Sequence, residues 1–423
     1  MTRTIEAKLK YKTLFFSLYR LKIHSEAALF DAVFRWYSHD TAARSNLLDD
    51  VIRHIRFGLI TDATLMTMPQ HWLTIKYQAA IKYINTGLKY HMDVKNGHPA
   101  IDTYAKVRAT EADLVFIHQG SSYKPFEVTA YDHKQDKFFQ LATDISGSRD
   151  CRVATVDNFA YICRVVDSGG GSLMNSLLRF DPRHLSLHEL TPSRRLRLEP
   201  ALAAIGKSIY VFGGTTETYQ VLDAVECYNV ETNTWSELPV LPIATHSLAA
   251  VAHGADAIYL SGGLEAASRQ PVTSFRRYNV TERTFDTLQS MQCARRLHEM
   301  ASLNDRLFVL GGIAEHTFHQ QTHIPIEYYA LGDNQWTTLV TTTLPGRAVG
   351  HFVVAFGDAL LSIGREHCEA TEEEIRKYDM EAGTWTAYAR VPRRSGLAGV
   401  SATKLMLNFH DDRICRHVIS DKR

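Results

Sequence analysis

Residues 197–238 read RLEPALAAIGKSIYVFGGTTETYQVLDAVECYNVETNTWSEL. ALAAI is small and apolar, suited to a strand inside a crowded core. Gly206-Lys207 makes a turn, and SIYVF is β-branched and aromatic, a second strand. Gly213-Gly214 ends it, since glycine tolerates positive φ and close approach of another backbone. After a polar loop, AVECYNV and TWSEL follow as third and fourth strands around a short turn.

The same order recurs. Double glycines return at Gly262-Gly263 and Gly311-Gly312, 49 residues apart each time. An aromatic or large apolar residue is followed seven positions later by another at Tyr131/Phe138, Phe180/Leu187, Tyr228/Trp235, Tyr278/Phe285, Tyr329/Trp336 and Tyr378/Trp385. A fixed period of this length means one supersecondary unit copied and stacked. One four-stranded sheet is marginal alone, and radial repetition gives a β-propeller. The paired rings lie on consecutive strands, placed to fill the wedges between blades, each burying roughly 150–250 Å². Glycines and rings alike are read as architecture. Where a double glycine is expected, the outer units carry His118-Gln119, Arg164-Val165 and Gly364-Arg365, so their turns must differ.

Before residue 95 the pattern becomes helical. Ser25 can cap a helix whose stripe is Ala27, Phe30, Val33, Phe34 and Tyr37. Further helices are expected at about Ser45–His54, from Asp62 to Met68 before Pro69, and from Gln70 to Asn85 before Gly87. The expected division is an all-α domain over 1–95, a linker over 96–102 containing Asn96-Gly97-His98-Pro99, and an all-β propeller over 103–423. Six blades are expected, with seven, the last incomplete, as the alternative. SGLAGVSA and KLMLNF near the C-terminus read as a strand pair without a following Tyr/Trp pair. The first unit has no convincing inner strand of its own, so a C-terminal strand is expected to complete it.

The double glycine after a strand, followed by Tyr and Trp at fixed offset, resembles the kelch repeat. The string IHSEAALFDAVFRWYSHDTAARSNLLDDVIRHIRFGLIT is similar to the BACK domain, through Trp36, His39, Asp40, Arg44, Leu47, Leu48, Ile55, Arg56, Phe57 and Leu59. BACK followed by kelch is the architecture of the kelch-like proteins, which usually begin with a BTB domain that dimerises and docks a cullin. About twenty residues precede the BACK-like string, so a fragment, a shortened product or a BTB-less relative is expected. The C-terminal closing strand is likewise common in such propellers. The resemblance implies substrate recognition for a cullin-3-type ubiquitin ligase. Cullin-3 would be engaged only if a longer product supplies the BTB domain. The alternative is a kelch scaffold binding actin or another cytoskeletal partner.

Composition bounds the rest. The chain has 423 residues, 45% hydrophobic and 22% charged, with net charge +1. These are the fractions of a globular protein, without the basic excess of a nucleic-acid or anionic-membrane binder. No apolar run of about 18 residues exists, and the N-terminus does not read as a secretory signal. The six cysteines show no CxxC or regular spacing, which favours reduced thiols and a cytoplasmic or nuclear location. No P-loop, HExxH, GxSxG or strand-to-helix GxGxxG occurs, so neither enzyme nor cofactor is expected. His316, His319 and His323 have ligand-like spacing but fall in an exposed loop, and no metal site is assigned. Glu372, Glu373 and Glu374 read as a solvated charge run or an acidic rim.

Basic residues recur just before the inner strands: Arg149, Arg197, Arg295, Arg296, Arg347, Arg393 and Arg394, with His246 in the fourth unit. Arg197, His246 and Arg295 all stand sixteen residues before the first glycine of a pair. A repeated offset in a propeller is a ring at one end of the channel. Guanidiniums there would grip a short acidic client segment, bidentately, or else pair locally with acids such as Glu199 and Glu299. The resemblance places client binding at that same end. The loops between second and third strands vary most in length and are expected to set specificity.

Overall fold

The computed structural model describes residues 25–70, 78, 80–95, 112–118, 126–144, 147–168, 172–267, 270–314, 324–343, 352–364, 373–391, 400–407, 414 and 418–419. The expected linker over 96–102 lies outside them, as do His316, His319, His323 and Glu372. Glu373–Asp379 is a strand, and Glu374 pairs there with Arg376, so Glu373 and Glu374 do not belong to a loop.

Six antiparallel sheets form a ring. Strands are lettered a to d from the channel outward. Blade 2 is Ser148–Val156, Phe159–Asp167, Leu173–Asp181 and Ser186–Leu190. Blade 3 is Ala201–Ile205, Ser208–Phe212, Val225–Asn229 and Thr234–Leu238. Blade 4 is Ala249–His253, Ala257–Ser261, Phe275–Asn279 and Thr284–Thr287. Blade 5 is Glu299–Leu303, Arg306–Leu310, Pro325–Ala330 and Gln335–Thr343. Blade 6 is Phe352–Phe356, Ala359–Gly364, Glu373–Asp379 and Thr384–Val391. Blade 1 takes strands b to d from Asp113–His118, Phe126–Asp132 and Lys137–Asp144, and its a strand from Val400–Leu405. Each a strand packs against the a strands of its two neighbours, so the ring is closed.

This decides for six blades against seven. The expected C-terminal pair is a single strand, aligned with blade 1 from Asp113↔Leu405 to His118↔Val400. Val418–Ile419 then adds a fifth strand at the blade's outer edge, against Phe138 and Phe139, which was not foreseen. Arg164-Val165 is not a turn but lies within the long b strand of blade 2.

The spacing of seven has a local cause. All six ring pairs are direct cross-strand partners, as in Tyr228↔Trp235 and Tyr378↔Trp385. Between them lies a four-residue turn whose last residue is left-handed: Asp136, Leu185, Asn233, Arg283, Asn334 or Gly383. Where that residue is Asp or Asn, its side chain accepts the Tyr hydroxyl proton, as in Tyr131 to Asp136 and Tyr228 to Asn233, both 2.8 Å. The rings also cross the seams. Tyr329 and Trp336 sit 4.8 and 4.9 Å from Phe275 of blade 4, and Tyr278 sits 5.6 Å from Phe212 of blade 3. The indole N–H groups of Trp235 and Trp336 donate to Thr191 and Gln289 carbonyls of the preceding connection, each at 2.7 Å. Burying one such ring stabilises by roughly 1.5–3 kcal/mol.

The double glycines serve the neighbouring blade. Gly214 N donates to Thr245 O, and Gly263 N donates to Arg295 O, on the segment that leads into the next blade. A Cβ at Gly213, whose φ is +60°, would overlap the Thr245 carbonyl.

In the helical region Ser25 caps α1 (Glu26–His39), accepting from Ala28 N at 3.1 Å. Asp40 caps α2 (Thr41–Ile52). Phe30, Phe34, Leu48, Ile52, Ile55 and Phe57 form the core, joined by Leu65 from α3 (Asp62–Thr67). The last helix differs from expectation. α4 spans Ala80–Lys95 and runs through Gly87 instead of stopping before it. A Cβ at Gly87 would stand 2.9 Å from Phe57 O, so glycine is a packing notch here and not a stop signal. The extra turns carry Tyr90, His91 and Val94 onto blade 2. His91 and His184 rings lie 4.7 Å apart, and Arg179 Nη2 donates to Val94 O at 3.4 Å.

Gly206, also left-handed, has open space where a Cβ would go. Gly206→Ala is expected to cost about 1–2 kcal/mol from φ strain alone. Gly213→Ala should lose roughly 1–3 kcal/mol beyond that, through overlap with the next blade's backbone. Urea unfolding of both variants checks the difference, and equal losses would contradict this role for the diglycine.

Candidate functional site

The a strands start at one end of the ring, and there a central cavity of about 260 Å³ opens among them. Each of three a strands is preceded by a left-handed residue: Glu199 (φ 52°), Ser247 (53°) and Leu297 (52°). Backbone bonds pass between blades at these points, Ser247 N to Glu199 O at 3.0 Å and Leu297 N to Ser247 O at 2.9 Å. Glu199 N continues the chain to Asp150 Oδ2 at 2.6 Å. Across blades 3 to 5 the mouth is therefore a collar tied by backbone, joined to blade 2 through the Asp150 side chain.

Four charged or polar positions define its chemistry. Arg152 Nη1 donates to Asp150 Oδ1 at 2.8 Å and Cys151 O at 3.0 Å, and Nε to Pro200 O at 3.3 Å. Glu199 accepts from Ser247 Oγ and lies 3.1 Å from His246 Nδ1. Those contacts, His246 foremost, hold its carboxyl down to about 2 despite burial. His298 is 4% exposed, with Nε2 2.7 Å from Ser261 Oγ, and its Nδ1 has no partner. Glu299 stands on the cavity wall, and burial pushes its carboxyl up to about 7 against the pull of Arg152. Ser261 and His298 are both buried, 1% and 4% exposed, and among the described residues no acid orients Nδ1 of His298. Among the described residues no three His, Cys, Asp or Glu side chains converge as metal ligands.

The expected ring of guanidiniums needs correction. Arg197 and Arg295 are 4% and 0% exposed, so neither can reach a client. Arg197 pairs with Glu226 and donates through Nη1 to Gly213 O and Ala224 O at 3.2 and 3.1 Å. Arg295 does the same with Glu327 at 2.5 Å, Gly311 O at 3.2 Å and Pro325 O at 3.0 Å. Each ties the entry of its blade to the first carbonyl of the diglycine and to strand c. His246 is not their equivalent. The a–b hairpin of blade 4 has three loop residues, Gly254 to Asp256, where blades 3 and 5 have two. Counting back across it slips by one, and the equivalent residue is Thr245, 1% exposed. The acid partner is replaced too: Leu260 pairs with Arg276 where Val211 pairs with Glu226 and Val309 with Glu327. Arg and Glu are thus kept together or lost together.

Of the remaining basic residues, Arg149 is exposed and lies 3.5 Å from Asp167, and Arg296 is half-buried with its backbone bridged to Ile313. Arg347, Arg393 and Arg394 lie outside the described residues. The features missed by sequence reading were the left-handed collar, Arg152 and the cavity face of Glu299. Their only sequence signal was position at the start of an inner strand.

Removing one member of a buried pair leaves an uncompensated charge, so Arg295→Met should cost about 3–5 kcal/mol. Arg295→Met with Glu327→Met should recover much of that loss, whereas Arg149→Ala should stay within about 1 kcal/mol. Denaturant titration measures all three. Glu299 gives a pH signature. Its folded-state pKa is raised, so the stability it contributes is full below about pH 4.5 and is lost as pH rises through about 7. Glu299→Gln should remove that part of the decline, and thermal unfolding across this window tests it.

Comparison with known proteins agrees with this architecture. Residues 199–414 match the family model of the KLHDC2/KLHL20/DRC7 Kelch-repeats domain, and residues 9–70 match BACK (BTB And C-terminal Kelch). Kelch-like protein 26 of Danio rerio is 23% identical over 406 residues, covering 93% of this chain and 66% of its own length. Kelch-like protein 36 of Mus musculus is 25% identical over 337 residues, covering 77% and 54%. Kelch-like protein 15 of Homo sapiens is 23% identical over 393 residues, covering 87% and 64%. The chain thus spans between about half and two thirds of the length of these curated relatives. A BACK region leading into a six-bladed ring of kelch repeats makes this chain a member of the kelch-like family.

Proposed function

We propose that this protein-interaction propeller is the client-binding part of a cullin-3-type ubiquitin ligase. The observation that carries the reading is the collar. At one end of the ring blades 3, 4 and 5 have their backbones locked to one another around an open cavity. A rigid base with variable loops is the arrangement of a recognition surface. Of the basic residues at this end, Arg149 is exposed and His246 and Arg296 are half-buried. α4 and its contacts with blade 2 hold the propeller against the BACK region, which serves as spacer. The cullin contact belongs, in this reading, to a BTB domain supplied by a longer product. The free thiols Cys151, Cys163, Cys227 and Cys293 support action in the reducing cytoplasm or nucleus.

The longest product of the gene, expressed in cells, is expected to co-precipitate cullin-3, and its depletion should raise the level of the bound client. Absence of cullin-3 together with co-sedimentation on actin filaments would overturn the ligase reading in favour of a scaffold.

A further inference from the structure

We infer that the channel mouth takes a basic side chain of the client, lysine or arginine, with Glu299 as its counter-charge. This rests on the client-capture reading above and reverses the sign of ligand that the basic residues of the sequence led us to expect.

Three observations converge. The first is commitment of the cations. Arg197 and Arg295 are sealed in pairs with Glu226 and Glu327, and Arg152 is bound by Asp150, the Cys151 carbonyl and the Pro200 carbonyl. The second is the balance at the mouth. Among the described residues the charged side chains on the cavity wall are Glu299 and Arg152, and two further acids, Asp150 and Glu199, lie beside it. Asp150 is matched by Arg152, and Glu199 by His246 and Ser247, which leaves Glu299 without a hydrogen-bonded partner. The third is His298. It lines the same cavity, but its unpartnered Nδ1 is buried and its Nε2 is taken by Ser261 Oγ, so it supplies no donor to Glu299. A carboxylate on the wall without a hydrogen-bonded partner calls for a donor-rich group. Ammonium and guanidinium have donors only. Apolar Ala201, Leu248 and Phe352 on the remaining wall suit the methylene stem of either side chain. A cavity of about 260 Å³ has room for one such side chain.

Short random peptides displayed on phage and selected on the full chain provide the test. Enriched sequences should share Lys or Arg at one position. Replacing that residue by norleucine should weaken binding by about tenfold, and Glu299→Gln should do the same to the parent peptide. In a double-mutant cycle the two losses should not add. Binding should be tighter near pH 8 than near pH 6, with circular dichroism confirming that Glu299→Gln is folded. Enrichment of Asp or Glu, or peptides whose affinity ignores Glu299→Gln, would overturn this inference while leaving client capture intact. A failure to enrich any peptide at all would overturn client capture and this inference with it.

Discussion

Contact between neighbouring blades is the constraint on which everything else depends. No sheet here covers its own faces. The apolar clusters accordingly straddle seams: Tyr278 joins Phe212 and Ile258, Phe275 joins Tyr329 and Trp336, and Tyr131 joins Leu361 and Ile375. Three of the ring pairs are stiffened by the turn they span, through the hydroxyls of Tyr131, Tyr228 and Tyr329. The six seams must close together, since a gap at any one would expose two apolar faces to water.

Against that frame, repetition in sequence acquires a physical meaning. A residue that recurs once per blade sits in a recurring environment, and the recurring environments of a propeller are its seams and blade roots. Arg197 and Arg295 recur because Glu226 and Glu327 recur. Blade 4 lacks both and loses nothing, since Thr245 is buried and Arg276 turns to Glu265. Recognition is better sought where the blades differ, and Glu299 is such a place. The position that holds Ala201 and Ala249 in blades 3 and 4 holds a carboxylate in blade 5.

Much of the architecture was legible in the residues. The seven-residue interval encoded a hairpin in register, and the missing inner strand of the first unit encoded its closure by the C-terminus. Legibility failed where identity and environment part company. Glycine at 87 looks like a helix end in sequence, but the close crossing of Phe57 demands it within a helix. Arginine before a strand looks exposed until a carboxylate 29 or 32 positions later draws it inward. An offset of sixteen looks invariant until one hairpin gains a residue. Such distinctions depend on partners distant in sequence, which a local pattern does not carry.

The a strand of blade 1 comes from the other end of the propeller sequence: Leu407 N meets Asp113 Oδ2 across 294 positions. A ribosome making this chain therefore releases five finished sheets and one unfinished sheet before anything can close. Until then Asp113–His118 presents a bare edge, and the seam beside it is wet. Assembly is thus governed by Val400–Leu405, a strand made after the five complete sheets. A premature stop there would yield an open arc with two sticky ends, a far greater hazard than losing the same number of residues from any loop.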